Sequence, residues 1–246
     1  ESFIVFRRQL RLNLRNPAWV IIGMLQPVLY LLLFGPLLTP LVPPFGVDPA
    51  YTFFVPGLLV QLGIFGAFFA GFGLIGEWRE GVIEAERVTP ASRTALLVGR
   101  LMRDELQLFV QALILIGLGY AMGMDASFGG VVLGLLVTLL IGGACAAASN
   151  AFALTVKSED VMAPVINMVT TSVLLLSGIL LPMTIGPHWL KRVSDFRPFR
   201  WIVDATRDAF GGDLGGSTAF WGVGWAVVLF ALALWWGTAT FRRENA

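Results

Sequence analysis

Residues 77–93 read Glu-Trp-Arg-Glu-Gly-Val-Ile-Glu-Ala-Glu-Arg-Val-Thr-Pro-Ala-Ser-Arg, a short run dense in charge of both signs. Such residues suit ion pairing and docking rather than bond breaking. On a helix Glu80 and Glu84 lie one turn apart, as do Ile83 and Arg87, and Glu84 and Val88. Val82, Ile83 and Val88 then form a small apolar patch rimmed by charge. Thr89-Pro90 reads as a helix N-cap followed by proline at the first helical position. A second amphipathic helix is expected to run from Pro90 into the next apolar stretch. A charge-rimmed helix of this kind suits docking onto a soluble partner; the plainer reading is a solvated connector.

Other chemistry is scarce. A phosphate-cradling loop needs G-x-x-x-x-G-K-[ST]. Lys157-Ser158 is preceded by Thr155-Val156 rather than glycine, and Lys191 has neither glycine before it nor Ser or Thr after it. No ATPase motif is present, so ATP-driven work needs another polypeptide. The single His188 rules out a multi-histidine metal site, and no metal or cofactor is expected in the chain. The single Cys145 lies in Gly142-Gly143-Ala144-Cys145-Ala146-Ala147-Ala148 and reads as a small packing residue.

The elements that must position the charged run are set by where charge is missing. Stretches 16–47, 49–76, 106–124, 126–156, 161–190 and 214–241 hold no Asp, Glu, Lys or Arg. Each is long enough to cross a bilayer as a helix, which takes roughly 20 residues. The chain is 57% hydrophobic and 13% charged, with mean hydropathy +0.78; a soluble domain is about 25% charged. The expected fold is all-α: a single polytopic domain over 1–246 with six transmembrane helices at about 18–38, 52–76, 105–123, 128–156, 161–182 and 218–241.

Twelve Lys or Arg fall on one side of that arrangement and five on the other, all five in one loop. The positive-inside rule then puts both termini and loop 77–104 in the cytoplasm. Trp19, Trp78, Trp221, Trp225, Trp235 and Trp236 fall near span ends, where indole favours the headgroup level. In 2–15, Phe3, Phe6, Leu10 and Leu14 oppose Arg7, Arg8, Arg11 and Arg15, an N-terminal amphipathic interfacial helix against membrane lipids. The net charge of +1 gives no sign of a nucleic-acid partner. Arginine far outnumbers lysine, which hints at a GC-rich bacterial genome and hence a bacterial plasma membrane. The start at Glu1 implies a few preceding residues. The apolar run after Arg15 is too long for a secretory signal.

Within the spans, Gln26, Gln61, Gln111, Asn150, Asn167, Thr170, Thr171 and Ser172 seek partners, and interhelical hydrogen bonding is the default. Asn167, Thr170 and Thr171 form a polar cluster that suits a translocation route, with Gln26, Gln61 and Asn150 as further candidates. Gly63, Ala67, Gly71 and Gly66, Ala70 recur every four residues as close-packing faces, a subunit contact among their uses. No ionisable residue is expected at mid-membrane, which argues against an ion-coupled secondary transporter and against an intramembrane enzyme.

The run Glu77-x-x-Glu80-Gly81-x-Ile83-Glu84-x-x-x-x-Thr89-Pro90-x-Ser92-Arg93, followed by Leu96-Leu97-x-Gly99-Arg100, resembles the loop after the second span of ABC-2 type transporter permeases, in particular drug-resistance exporters of the daunorubicin-resistance type. Leu181-Pro182-x-x-x-x-Pro187-x-Trp189 and Pro198-Phe199-x-x-x-x-Asp204-Ala205-x-Arg207 are similar to the outer loop before the last span. Glu86 replaces the family's usual leucine, and Arg197 a common asparagine.

The resemblance implies a coupling helix within 77–94, carried by Glu77, Arg79, Glu80, Gly81, Glu84, Arg87, Thr89, Pro90 and Arg93. It implies a separate ABC ATPase subunit in two copies, which holds ATP and Mg, and a second copy of the chain or a homologous permease. It also implies short re-entrant helices in 185–212, with Pro198, Phe199, Asp204 and Arg207. There Arg200/Asp204 and Asp204/Arg207 are spaced to pair on one helix face. The expected function is export of a hydrophobic or amphipathic substrate (drug, antibiotic or lipid). Export of a lipid-linked glycan is the alternative.

Overall fold

The structure, a computed structural model, describes residues 18–38, 50–82, 93–179 and 198–243. The expected helix 2–15, the coupling positions Glu84, Arg87, Thr89 and Pro90, and the outer residues 185–197 lie outside the described residues.

Among the described residues eight helices follow in order: α1 Ala18–Leu38, α2 Ala50–Phe68, α3 Ala70–Arg79, α4 Arg93–Ala121, α5 Phe128–Val156, α6 Glu159–Leu176, α7 Pro198–Phe210 and α8 Ser217–Arg243. Among the described residues there is no strand. The all-α expectation therefore stands. Among the described residues, four helical stretches are long and apolar enough to cross a membrane: Tyr51–Arg79, Phe128–Val156, Glu159–Leu176 and Ser217–Phe241. In α1 the apolar stretch Gly23–Leu37 is shorter. In α4 the charged residues Arg100, Arg103, Asp104 and Glu105 interrupt the run.

Large apolar side chains stay outside the fold. Ile21, Leu25, Leu29, Leu32 and Leu33 of α1 are exposed, as are Phe220, Trp221, Leu232 and Trp235 of α8. Water would not tolerate such continuous apolar faces, whereas lipid does. The chain is a membrane protein.

Helix α5 is the hub, packed against α2, α3, α4, α6, α7 and α8. Its small residues allow this. Gly142, Gly143, Ala144, Cys145, Ala146 and Ala147 are all buried, so neighbouring backbones approach closely. Cys145 is the packing residue its neighbours imply. Ser127 caps the start, its Oγ accepting from Gly130 N at 3.1 Å. Lys157 ends the helix in the left-handed region at φ 54°.

Three elements differ from expectation. The second span is broken at Phe69. There Phe72 N–H bonds to Phe69 O at 3.1 Å, one residue short of the α spacing. Ser149 of α5 serves the break: its Oγ accepts from Gly71 N at 3.2 Å and donates to Phe68 O. The third span, expected at 105–123, is part of a longer helix Arg93–Ala121, which carries the expected amphipathic stretch straight into it. The fifth span, expected to reach 182, stops at Leu176, followed by Ser177 and a left-handed Gly178 at φ 74°.

Two ties fix the ends of the bundle. Thr52 Oγ1 donates to Asp125 O at 2.8 Å, joining the start of α2 to the α4–α5 loop. At the opposite end Arg79 pairs with Glu159 at 2.9 Å, joining α3 to the start of α6. The Arg79 end carries the charged run and is called the coupling end below.

Candidate functional site

At the coupling end α3 closes with Glu80, whose N–H bonds to Gly76 O at 3.0 Å. Gly81 follows at φ 74° and bonds through its N–H to Trp78 O at 3.1 Å. A side chain there would strain the left-handed backbone, so glycine is what turns the chain toward 83–92.

Below this turn sits a buried ionic cluster. Arg100 of α4 is 2% exposed. Its Nε and Nη2 donate to Glu77 Oε2 at 3.0 and 2.6 Å. Arg103 Nη1 lies 3.9 Å from Glu77 Oε1, and Arg103 Nη2 lies 2.7 Å from Asp104 Oδ1. Among the described residues, two guanidiniums and two carboxyl groups meet here, and the Arg100–Glu77 pair clamps α3 to α4. It holds together the end of α3 and the first turns of α4, the helices that flank the charged run in sequence.

The predicted coupling residues divide accordingly. Glu77 turns inward and is structural. Arg79 and Glu80 are exposed at the rim, Gly81 makes the turn, and Arg93 begins α4. Arg100, Arg103 and Asp104 were not assigned to the site by sequence. Their signal is an Arg pair three residues apart on an otherwise apolar helix face, in register with a lone Glu at the end of the preceding span.

At the other end α7 lies against α8, α5 and α2. Ile202, Val203, Ala205, Thr206, Ala209 and Phe210 are buried on one face. Phe199 packs against the core while Trp201 stays exposed. The expected pairs form: Arg200 Nε to Asp204 Oδ2 at 3.4 Å, and Arg207 Nη1 to Asp204 Oδ1 at 4.0 Å.

Arg207 does more than pair. Its Nη2 donates to Gly178 O and Ile179 O, each at 2.9 Å, and its Nε to Phe53 O at 3.2 Å. The guanidinium carbon sits 3.8 Å from the Phe53 ring centroid. Burial pushes its pKa down to about 10 while Asp204 and Asp208 oppose the drop, so it is a cation at neutral pH. One side chain therefore fastens α7 to the start of α2 and the end of α6.

The candidate route residues do not converge. Gln26 is half-buried and donates to Tyr30 Oη at 3.2 Å. The amide of Gln61 and Nδ2 of Asn150 are buried with no hydrogen-bond partner among the described residues. Asn167 and Thr171 face outward from α6 and meet each other at 3.4 Å. Thr170 turns inward, its Oγ1 donating to Ile166 O at 2.7 Å. The polar cluster on α6 is thus split between two faces. The four-residue repeat of α2 and α3 also divides. Gly63 meets Thr138 O and Ile141, and Gly71 meets Ser149 and Met162, both within this chain, while Gly66 faces open space.

The expectation of a spanning interior without ionisable groups needs correction. Glu105 lies beside Gly143 of α5: a Cβ on that glycine would sit 2.8 Å from Glu105 Oε1 and 2.6 Å from the Phe230 ring. Gly143 is near the middle of α5, roughly 20 Å from either end at 1.5 Å per residue. Sequence placed Glu105 at a span's edge because it follows a charged cluster. The course of α4 across α5 carries it inward.

The sequence pattern of the ABC-2 type transporter family matches residues 1–210. The chain is 26% identical over 216 residues to the "Daunorubicin resistance ABC transporter permease protein DrrB1" of Streptomyces coeruleorubidus, covering 85% of this chain and 72% of that protein. It is 25% identical over 213 residues to a "Putative transport permease ycf38" of Cyanophora paradoxa, covering 84% and 73%. A protein of the same description from Pyropia yezoensis is 24% identical over 198 residues, covering 78% and 68%.

Proposed function

This chain belongs to the ABC-2 type transporter family, and from that premise we propose that it is the membrane subunit of an ATP-driven exporter of hydrophobic or amphipathic compounds. Permeases of this kind are transport components that work with an ATPase subunit and lack ATPase motifs themselves. The single observation that carries the reading is the clamp at the coupling end. Glu77, Arg100 and Arg103 join the two helices that flank the charged run in sequence, next to the exposed Arg79 and Glu80.

In this reading six spans cross a bacterial plasma membrane with both termini cytoplasmic, and two copies of the chain pair over two ATPase subunits. Helix α7 belongs to a re-entrant outer segment that Arg207 fastens to the spans. Nucleotide binds the closed ATPase pair better than the open one. That differential affinity biases the permease between inward- and outward-accessible states. The run 77–93 carries the bias. The drug-resistance wording of the Streptomyces relative supports an amphipathic cargo.

The test is reconstitution of the permease with its ATPase in proteoliposomes, reading ATP hydrolysis and efflux of a fluorescent amphiphile together. Gly81→Pro is expected to leave assembly intact and abolish cargo-stimulated hydrolysis and efflux. Unchanged coupling in that variant overturns the role assigned to the turn.

A further inference from the structure

Beside α5 and α8 lies a cavity of about 400 Å³, lined by Val132, Leu135, Leu136, Leu139, Phe230 and Glu105. Among the described residues Glu105 is the one ionisable group in that lining. Its size falls within the range of small-molecule pockets, about 300–1,000 Å³.

Three features make this more than a gap between helices. First, the carboxylate has a built place. Gly142 and Gly143 leave room for it: a Cβ at either would fall within 3.6 Å of Glu105 Oε1. Second, among the described residues it has no hydrogen-bond or ion-pair partner. The nearby cations are engaged elsewhere, Arg100 with Glu77 and Arg103 with Glu77 and Asp104. Third, the cavity has polarity and direction. Glu105 and Phe230 sit at the level of Gly143, and the apolar wall extends from there along α5 to Val132, about 16 Å away at 1.5 Å per residue. The wall runs away from the coupling end.

A lone carboxylate in such surroundings is costly unless it takes up a proton or a positive charge meets it, so an arriving cation displaces the proton. A hydrated metal ion does not suit these walls, because hard cations demand about six oxygen ligands and leucine offers none. A cation that carries its own apolar body suits both ends. Its charge sits between Glu105 and the Phe230 face, and its body lies along Val132–Leu139.

We propose that this groove is a binding site for lipophilic organic cations, with Glu105 as the counter-charge. The proposal deepens the exporter reading and rests on it in treating such cations as cargo.

The experiment uses the full chain in lipid nanodiscs without ATPase, with empty nanodiscs as the partition control. Tetraphenylphosphonium is the cation probe, and tetraphenylborate is its anion of like shape. Saturable binding of tetraphenylphosphonium is expected, at least about tenfold weaker in Glu105→Gln. Glu105→Asp is expected to retain part of it. Leu136→Trp, which fills the groove, is expected to weaken binding without touching the charge.

Equal affinity in wild type and Glu105→Gln overturns the proposal, as does equal competition by tetraphenylborate, which would mean an apolar slot for acyl chains only. If Glu105→Gln does not fold, Leu136→Trp decides, and unchanged affinity there overturns it. Failure of the exporter reading looks different. A chain that binds the cation through Glu105 yet never couples to ATP hydrolysis keeps the site and loses the function. A complex that exports while its cation binding ignores Glu105 keeps the function and loses the site.

Discussion

Arg100 and Arg207 are both withdrawn from solvent, yet they meet different partners. Arg100 faces the Glu77 carboxylate, in a cluster that also holds Arg103 and Asp104. Arg207 faces three main-chain oxygens and an aromatic ring, with Asp204 only at the margin. The first arrangement joins side chain to side chain: removing one member leaves a charge inside protein. The second rests on one side chain that serves fixed backbone dipoles. The coupling end is therefore sensitive at several positions, and the opposite end chiefly at one.

This contrast can be broken directly. Arg207→Ala removes three charge-assisted hydrogen bonds and is expected to cost about 4 kcal/mol, read as loss of folded chain in detergent unfolding titrations. Arg207→Lys should recover little, since a point charge does not reproduce a guanidinium fork. Glu77→Gln is expected to cost about 3 kcal/mol, and the double variant Glu77→Gln/Arg100→Gln should be milder than the sum of its parts. Additive effects in that cycle would deny the pairing described above.

Smaller changes sharpen the comparison. Gly130→Ala brings a methyl against Ala209 O where α5 meets α7, and an overpacked contact of this kind costs about 2 kcal/mol. Protease sensitivity should appear near α7 before the coupling end. Arg79→Ala removes a pair whose side chains are 53% and 43% exposed. Such a pair contributes less than about 1 kcal/mol. Its loss should leave stability unchanged, so any loss of nucleotide coupling in that variant reports docking.

Much of this was legible in sequence, for local reasons. Helix α1 over 18–38 and α5 over 128–156 have the helix bounds expected from sequence, and α5 stops where its charge-free run ends, at Lys157. The Arg200–Asp204–Arg207 pairs follow from helical spacing alone. What escaped depends on distant parts of the chain. The break at Phe69 needs Ser149, the depth of Glu105 needs Gly142 and Gly143, and the carbonyls that hold Arg207 come from α2 and from the end of α6. No periodicity records which neighbour supplies a hydroxyl, a gap or an oxygen.

The hydroxyl of Ser149 has a consequence for biosynthesis. Phe68 O and Gly71 N–H rely on a group synthesised about eighty positions later. In lipid, a main-chain group without a partner is too costly to persist. The break at Phe69 is therefore expected to form only after α5 has been made, the stretch Tyr51–Arg79 keeping its helical ladder until then.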